Sequence, residues 1–258
     1  LSAQQLELAG KLRLEGMARA QFNGLQGIVL AGVTAGAARP VGELNAAADL
    51  VFNGAVVAPS TYTKYSVLAP GKGVSFTRNT DEPTQPLSAM GSLTIEAQDI
   101  VQDGNLWVPF GQIDFKASES LTFKSGSLTS VAAAPGSLLP FGKVINGRSW
   151  VYDVDADKVP TGQLEQVSLN EKSIRTTGKS VDMQAGAKIN LAGGGDMQAY
   201  EFTVGPGGSR DILADANTYA ILPSYKGGIA PGDVQEAKGF NRAVGDAVYL
   251  SGMPGLAD

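Results

Sequence analysis

Pairs of apolar residues separated by a single residue recur along the first half of the chain. Successive pairs begin 22, 24, 19 and 20 residues apart. Alternation of this kind is typical of a strand that buries one face, and a steady period with one strand signal per period is typical of a stacked solenoid. We therefore predict an all-β fold of stacked layers. The five clearest pairs are Ile28/Leu30, Leu50/Phe52, Val74/Phe76, Leu93/Ile95 and Ile113/Phe115.

The segment that precedes the first pair also favours strands over a helix. Two leucine pairs between residues 6 and 14 alternate with other residues, and Gly10 stands between them where a corner would fall. Residues 31–48 are rich in Ala and Gly and predict an irregular arc, for which a helical turn at 43–49 is an alternative interpretation. We expect strands over most of residues 3–20.

The repeat is clearest over residues 49–130. The sequences GSLTIEA at 91–97 and GQIDFKA at 111–117 align at a step of 20 residues. Residues 77–88 interrupt the repeat, because two prolines and a cluster of charges favour a loop over a strand. We predict layers over residues 1–130, with one loop excursion near 77–88.

A second interruption covers residues 131–162. Its three prolines cannot donate a backbone N–H to a ladder, so we predict an irregular excursion here. The alternation returns afterwards, which predicts layers over residues 163–258. Because the pattern is cut short at the C-terminal end, we expect the chain to be a piece of a longer protein. The later pairs are Val167/Leu169, Val181/Met183 and Ile189/Leu191.

The composition agrees with a folded domain and excludes several kinds of site. Of the 258 residues, 43% are hydrophobic, which is enough to form a core, and the net charge of −5 makes nucleic acid an unexpected partner. The sequence has no Cys and no His, which excludes thiolate and imidazole metal sites and a Ser-His-Asp triad. No apolar run has the length of a membrane span. We expect no cofactor, no metal and no membrane-spanning segment.

An acidic run offers a pattern that is similar to a metal loop. Asp153, Asp155 and Asp157 have the alternating spacing that opens a calcium loop. However, Lys158 stands where such a loop needs Gly, and Leu164 stands where it needs the bidentate Glu. The sequence favours a solvated acidic turn.

Aromatic residues in the loops are the candidates for contact with sugars. An exposed aromatic ring can stack against a sugar, although aromatic side chains more often pack against the core. Tyr62 and Tyr65 lie in a Ser/Thr-rich loop and are the first candidates for glycan contact.

The last third of the chain resembles a known family of exported proteins. The resemblance extends over residues 170–258 and is weaker over 1–170. Its motifs are LAGGGDMQAYEF at 191–202, GPGGSRDIL at 205–213, TYAILP at 218–223 and VYLSGMPGL at 248–256. In these motifs the chain resembles the late repeat region of filamentous-haemagglutinin-like exoproteins of two-partner secretion.

The resemblance implies a fold, a partner and a role. In that family the bulk of the chain is a right-handed parallel β-helix that acts as an adhesin or as a stalk for a terminal domain. The resemblance implies export through a dedicated outer-membrane transporter to the bacterial cell surface, and contact with a surface receptor or glycan. It supplies no catalytic residues for this region.

Two other classes of function stay open at this point. Parallel β-helices also include carbohydrate-active enzymes, but such enzymes need paired carboxylates and the acidic residues here are scattered. A surface protein in which rods pack side by side would have the same repeat. We expect a non-enzymatic adhesin or fibre, with receptor contacts in the two excursions, because loops on rigid scaffolds carry recognition.

Overall fold

The fold is known from a computed structural model, which describes residues 1–33, 39–145, 148–153, 164–166, 171–200, 221–223 and 248–250. The described residues form strands and no helix, so they contain no helix that could cross a membrane. The all-β prediction is confirmed for this part of the chain. The strands are β1 Ser2–Ala9, β2 Lys11–Leu14, β3 Arg19–Ala31, β4 Val41–Ala46, β5 Asp49–Gly54, β6 Val57–Pro59, β7 Lys64–Arg78, β8 Ser92–Asp103, β9 Asn105–Trp107, β10 Gln112–Phe123, β11 Leu128–Ser130, β12 Leu138–Ile145, β13 Ser149–Asp153, β14 Leu164–Gln166, β15 Ser173–Thr177, β16 Ser180–Met183, β17 Lys188–Asn190, β18 Asp196–Tyr200, β19 Ile221–Pro223 and β20 Val248–Leu250.

The strands belong to three sheets. A 14-stranded sheet contains β1 to β11 and β15 to β17, and its strands pair in parallel. A four-stranded sheet has the order β14-β13-β12-β18, with antiparallel pairing around β13 and parallel pairing between β12 and β18. The strands β19 and β20 form an antiparallel pair.

The large sheet consists of three columns, within which each strand pairs in register with the strand one layer before it. A layer is a stretch of chain that passes through column A, then column B, then column C. Column A contains residues 2–3, 19–24, 49–54, 73–78, 99–103, 120–123 and 180–183. Column B contains residues 5–9, 28–31, 57–59, 105–107, 128–130 and 188–190. Column C contains residues 11–14, 41–46, 64–69, 92–97, 112–117 and 173–177.

Five strands each serve two columns. The first parts of β1 and β3 belong to column A, and their second parts belong to column B of the same layer. The first parts of β7, β8 and β10 belong to column C, and their second parts belong to column A of the next layer. The bend in β7 includes Gly71, whose φ of 69° lies in the left-handed region that glycine adopts readily. The chain therefore passes from one layer to the next without a separate loop at this corner.

The predicted apolar pairs are confirmed as part of the core, and they belong to more than one column. All five pairs are buried, and they join one cluster that receives side chains from all three columns. Leu50/Phe52 and Val74/Phe76 are in register in column A, whereas Leu93/Ile95 and Ile113/Phe115 are in register in column C. Each layer holds up to three strands, so a step of about 20 residues arises in more than one column.

Column A contains a stack of aromatic rings that a buried amide interrupts. Phe22, Phe52 and Phe76 are in register, with ring centroids 5.3 and 5.0 Å apart. The next position holds Gln102, and Phe123 follows it in the layer after that. Such stacks contribute stability beyond the burial of area alone.

Residues 79–91, called the arch below, replace one strand of column B. They connect β7 to β8, and their layer has no strand between β6 and β9. Those two strands therefore pair directly, through Val57 and Leu106. The excursion predicted near residues 77–88 coincides with most of the arch.

The second excursion contains regular structure. The strands β12 and β13 pair in antiparallel fashion and belong to the four-stranded sheet. A separate buried cluster lies between this sheet and the corners of the large one. It contains Tyr62, Ala89, Met90, Ala133, Leu139 and Phe141.

Some predictions are corrected and others lie outside the described residues. The helical turn considered at 43–49 is wrong, because residues 43–46 belong to β4 and pair in parallel with β2 and β7. The pair Val167/Leu169 lies outside the described residues, as do Asp155 and Asp157. Most of the segments that carry the family resemblance also lie outside them.

Candidate functional site

A groove of about 1060 Å³ lies between the outer face of column B and the arch. Its floor includes Val29 of β3, which points outward because its neighbours Ile28 and Leu30 belong to the core. The register partner of Val29, Ala58 of β6, also lies in the floor but is only 3% exposed. The arch supplies one wall, and Tyr152 of β13 stands in the lining as well. Ligand pockets usually enclose about 300–1,000 Å³, so this groove has room for a ligand several rings long.

Side-chain amides anchor the first part of the arch. Asn79 donates a hydrogen bond through Nδ2 to the carbonyl oxygen of Leu25, at 2.9 Å. The buried Asn105 donates through Nδ2 to the carbonyl oxygens of Thr80, at 2.9 Å, and of Ala55, at 2.8 Å. The arch is thereby attached to both β3 and the residues that precede β6.

An arginine at the end of β7 holds the same part of the arch by charge. Arg78 donates through Nε to Asp81, at 2.7 Å, and through Nη1 to Asp103, at 2.6 Å. The hydrogen bond to Asp81, assisted by Asp103, raises the pKa of Arg78 above its ordinary value although partial desolvation opposes this. The guanidinium therefore stays charged over the usual pH range.

The far end of the arch is buried in the second core. Ala89 and Met90 pack in that cluster, and the N–H of Tyr62 donates to the carbonyl oxygen of Ala89, at 2.9 Å. Arg39 donates to the carbonyl oxygen of Met90, at 2.7 Å. In addition, Gln85 accepts a hydrogen bond from the N–H of Ala134. The arch is therefore fixed at its start, its middle and its end.

The groove is lined mainly by uncharged groups. Glu82 is the one charged residue among the described residues that line it. Several amides and hydroxyls in the lining have side chains that make no hydrogen bond within the described part of the chain. They are Gln5, Gln26, Thr61, Thr84 and Ser88.

The two tyrosines predicted to contact glycans are core residues, so the prediction of exposed rings is corrected. Tyr65 alternates with outward residues of β7, and its side chain points into the main core with 0% exposure. Burial, and secondly the nearby Glu43 carboxylate, raise the pKa of Tyr65 well above its usual range.

Tyr62 is buried for a different reason. It occupies a corner with a left-handed φ of 57°, and its ring packs against Phe141 and Tyr152 at centroid distances of 5.5 and 5.1 Å. The Arg39 guanidinium lies 4.7 Å from the centre of the same ring. The residues on either side, Thr61 and Thr63, are the ones that line the groove.

No group of three or more acidic residues within the described part of the chain is placed to hold a metal ion. The acidic turn predicted around Asp153 is described only at its first residue, the end of β13.

Comparison with known proteins identifies no relative. No family model matches the chain, no curated protein matches it, and no solved structure matches it significantly.

Sequence reasoning located the arch but missed the groove. The lining comes from residues separated by up to about 150 positions, such as Gln5 and Tyr152. The column pairing places Gln5, whereas packing against the second core places Tyr152. The sequence signal at this site is the composition of the arch, which is rich in Thr, Gln, Ser and Pro and follows a strand pattern. This composition indicates a loop but does not identify the other residues of the groove.

Proposed function

We propose that this chain is a segment of a large secreted bacterial surface adhesin or fibre, in which it forms part of a rigid stalk that presents binding regions. The observation that carries the proposal is the in-register parallel pairing in three columns around one apolar core. An arrangement of this kind extends by adding layers, because each layer contacts only its neighbours.

We further propose that the columns wind as a right-handed parallel β-helix. The order A, B, C and again A, with parallel pairing at each return, supports this architecture. The right hand is favoured because connections between parallel strands are right-handed in nearly all sheets. Seven layers at about 4.8 Å per layer would make this part of the stalk roughly 30 Å long.

Export is the part of the proposal that depends on the family resemblance. We propose a two-partner-secretion transporter of the outer membrane as one partner, and a surface receptor or glycan as the other. The mature chain would then be displayed on the bacterial surface or released from it.

A carbohydrate-active enzyme is less well supported than a stalk. Glycoside hydrolysis usually uses two carboxylates on opposite sides of the scissile bond. Among the described residues, the groove has Glu82 alone. We therefore propose a role in binding and presentation without catalysis.

Immunogold labelling of the bacterium that encodes the chain tests the proposal. Antibodies raised against residues 1–130 are applied to intact cells of the wild type and of a strain without the transporter. We expect gold particles outside the outer membrane in the wild type and their loss in the transporter mutant. Labelling that requires permeabilised cells in both strains would refute the proposal.

A further inference from the structure

We infer that the groove under the arch binds a neutral oligosaccharide chain. This inference rests on the proposed function, because it assigns a ligand class to one binding region of the stalk. Three features of the groove support it: its unpaired polar groups, its lack of positive charge, and a floor that is a sheet face.

The unpaired polar groups match the hydroxyls of a sugar. Gln5 and Gln26 each offer two amide donors and a carbonyl acceptor, and the hydroxyls of Thr61, Thr84 and Ser88 both donate and accept. None of these side chains makes a hydrogen bond within the described residues. A sugar hydroxyl is likewise both donor and acceptor, so these groups can bind it without losing internal bonds.

The charge of the lining favours a neutral ligand over a sulfated or acidic one. Recognition of sulfate or carboxylate usually employs Arg or Lys, often in bidentate pairs. The described lining contains neither, and the carboxylate of Glu82 would repel an anionic ligand. An uncharged glycan meets no such penalty.

The floor of the groove favours side-chain recognition over binding of an extended peptide. A peptide that adds to a sheet needs an open strand edge. Here β6 pairs with β3 on one side and meets β9 on the other. The ligand therefore lies on the outward face of these strands, where the half-buried Val29 supplies an apolar surface for the C–H face of a sugar ring.

The groove is also pre-formed, which reduces the entropy that a ligand must lose on binding. Asn79 and Asn105 fix the start of the arch, and Ala89 and Met90 fix its end in the second core. The ring of Tyr152 is held by stacking on Phe141, with centroids 5.0 Å apart. A fixed wall and a fixed ring permit selection of one glycan shape.

An array of neutral oligosaccharides tests the inference. The probes are chains of three to six units of glucose, galactose, mannose, fucose or N-acetylglucosamine, with a heparin-derived hexasaccharide and an unstructured peptide as comparators. The affinity of each bound probe is then measured by titration calorimetry. We expect at least one neutral oligosaccharide to bind, more tightly than both comparators.

Three substitutions assign that binding to the groove. We expect Gln5→Ala, Gln26→Ala and Thr84→Ala each to weaken binding about two- to tenfold, the usual effect of one lost hydrogen bond. Gln4→Ala is the matched control, because Gln4 is exposed in β1 beside Gln5 but does not line the groove. Each variant is first checked by circular dichroism. We expect the fold to be unchanged in all four, because the substituted side chains are exposed and free of internal hydrogen bonds within the described residues.

The outcomes separate this inference from the proposed function. Binding of no neutral probe, preference for the sulfated probe or the peptide, or equal affinities in all four variants would each overturn the inference. Surface labelling together with one of these results would refute glycan binding by the groove and support the stalk proposal. Groove-dependent binding without surface labelling would refute the stalk proposal and support glycan binding by the groove.

Discussion

Neighbouring strands of column A carry the same apolar pattern in opposite environments. Leu121 and Phe123 in β10 are 0% and 2% exposed, whereas their register partners in β16, Val181 and Met183, are 48% and 50% exposed. The residue types and the pairing are alike, but β10 has paired strands on both sides and β16 is paired only with β10 in the described residues. Burial in this fold is therefore supplied by the adjacent layers.

The largest expected effect on stability comes from truncating a buried side chain in β10, compared with its exposed partner in β16. We expect Leu121→Ala to lower the free energy of unfolding by about 2–5 kcal/mol, because it removes a fully buried side chain and leaves a cavity. Val181→Ala should change it by less than about 1 kcal/mol, because the side chain is half exposed. Urea unfolding followed by circular dichroism measures both.

Each variant is the control for the other, since the two residues are directly paired. Equal losses would contradict the comparison, because they would mean that Val181 is buried as deeply as Leu121. A small loss at both positions would mean that the inner layer is loosely packed.

A smaller effect should show that the inner layers also depend on a polar residue. Gln102 occupies the aromatic position of column A, and its amide bonds the carbonyl oxygens of Gly104 and Leu128 at 3.1 and 2.9 Å. We expect Gln102→Leu to lower the free energy of unfolding by about 1–3 kcal/mol, because buried backbone groups lose their partner. Urea unfolding again measures the change.

The control for this substitution is Gln98→Leu, at an exposed position in the bend of the same strand. It should change stability by no more than about 0.5 kcal/mol. A gain in stability from Gln102→Leu would contradict the assigned role and would indicate that the aromatic stack tolerates any apolar side chain at this point.

The strands were predictable from the sequence because each alternates on its own. Pairs such as Leu93/Ile95 mark a buried face without reference to the rest of the fold. Their assignment to columns was not predictable, since Val74 and Leu93 are 19 residues apart but lie in columns A and C. With up to three strands per layer, the repeat length does not identify the column.

The groove was less predictable than the strands. Its floor and wall come from layers far apart in sequence, so Gln26 and Thr84 have no local signal that connects them. Tyr62 and Tyr65 were selected as exposed because their neighbours are hydroxylic. Strand alternation in β7 and a left-handed corner place both rings in the interior.

The smallest effect concerns Tyr65, a polar group buried in an inner layer of column C. Its hydroxyl has no hydrogen-bond partner among the described residues, so Tyr65→Phe should leave stability unchanged or raise it by about 1 kcal/mol at pH 8. Above pH 10 the phenol ionises in the unfolded chain but stays protonated in the folded one, whose pKa is raised by burial. The folded state then holds more protons, so wild-type stability falls as the pH rises.

The Phe variant lacks this component, and the stability difference between the two proteins should widen between pH 8 and pH 11 in urea unfolding. The remaining tyrosines and lysines are common to both proteins and cancel in the difference. A difference that stays constant with pH would mean that the hydroxyl is hydrated, and that the inner layers are less closed than their contrast with β16 requires.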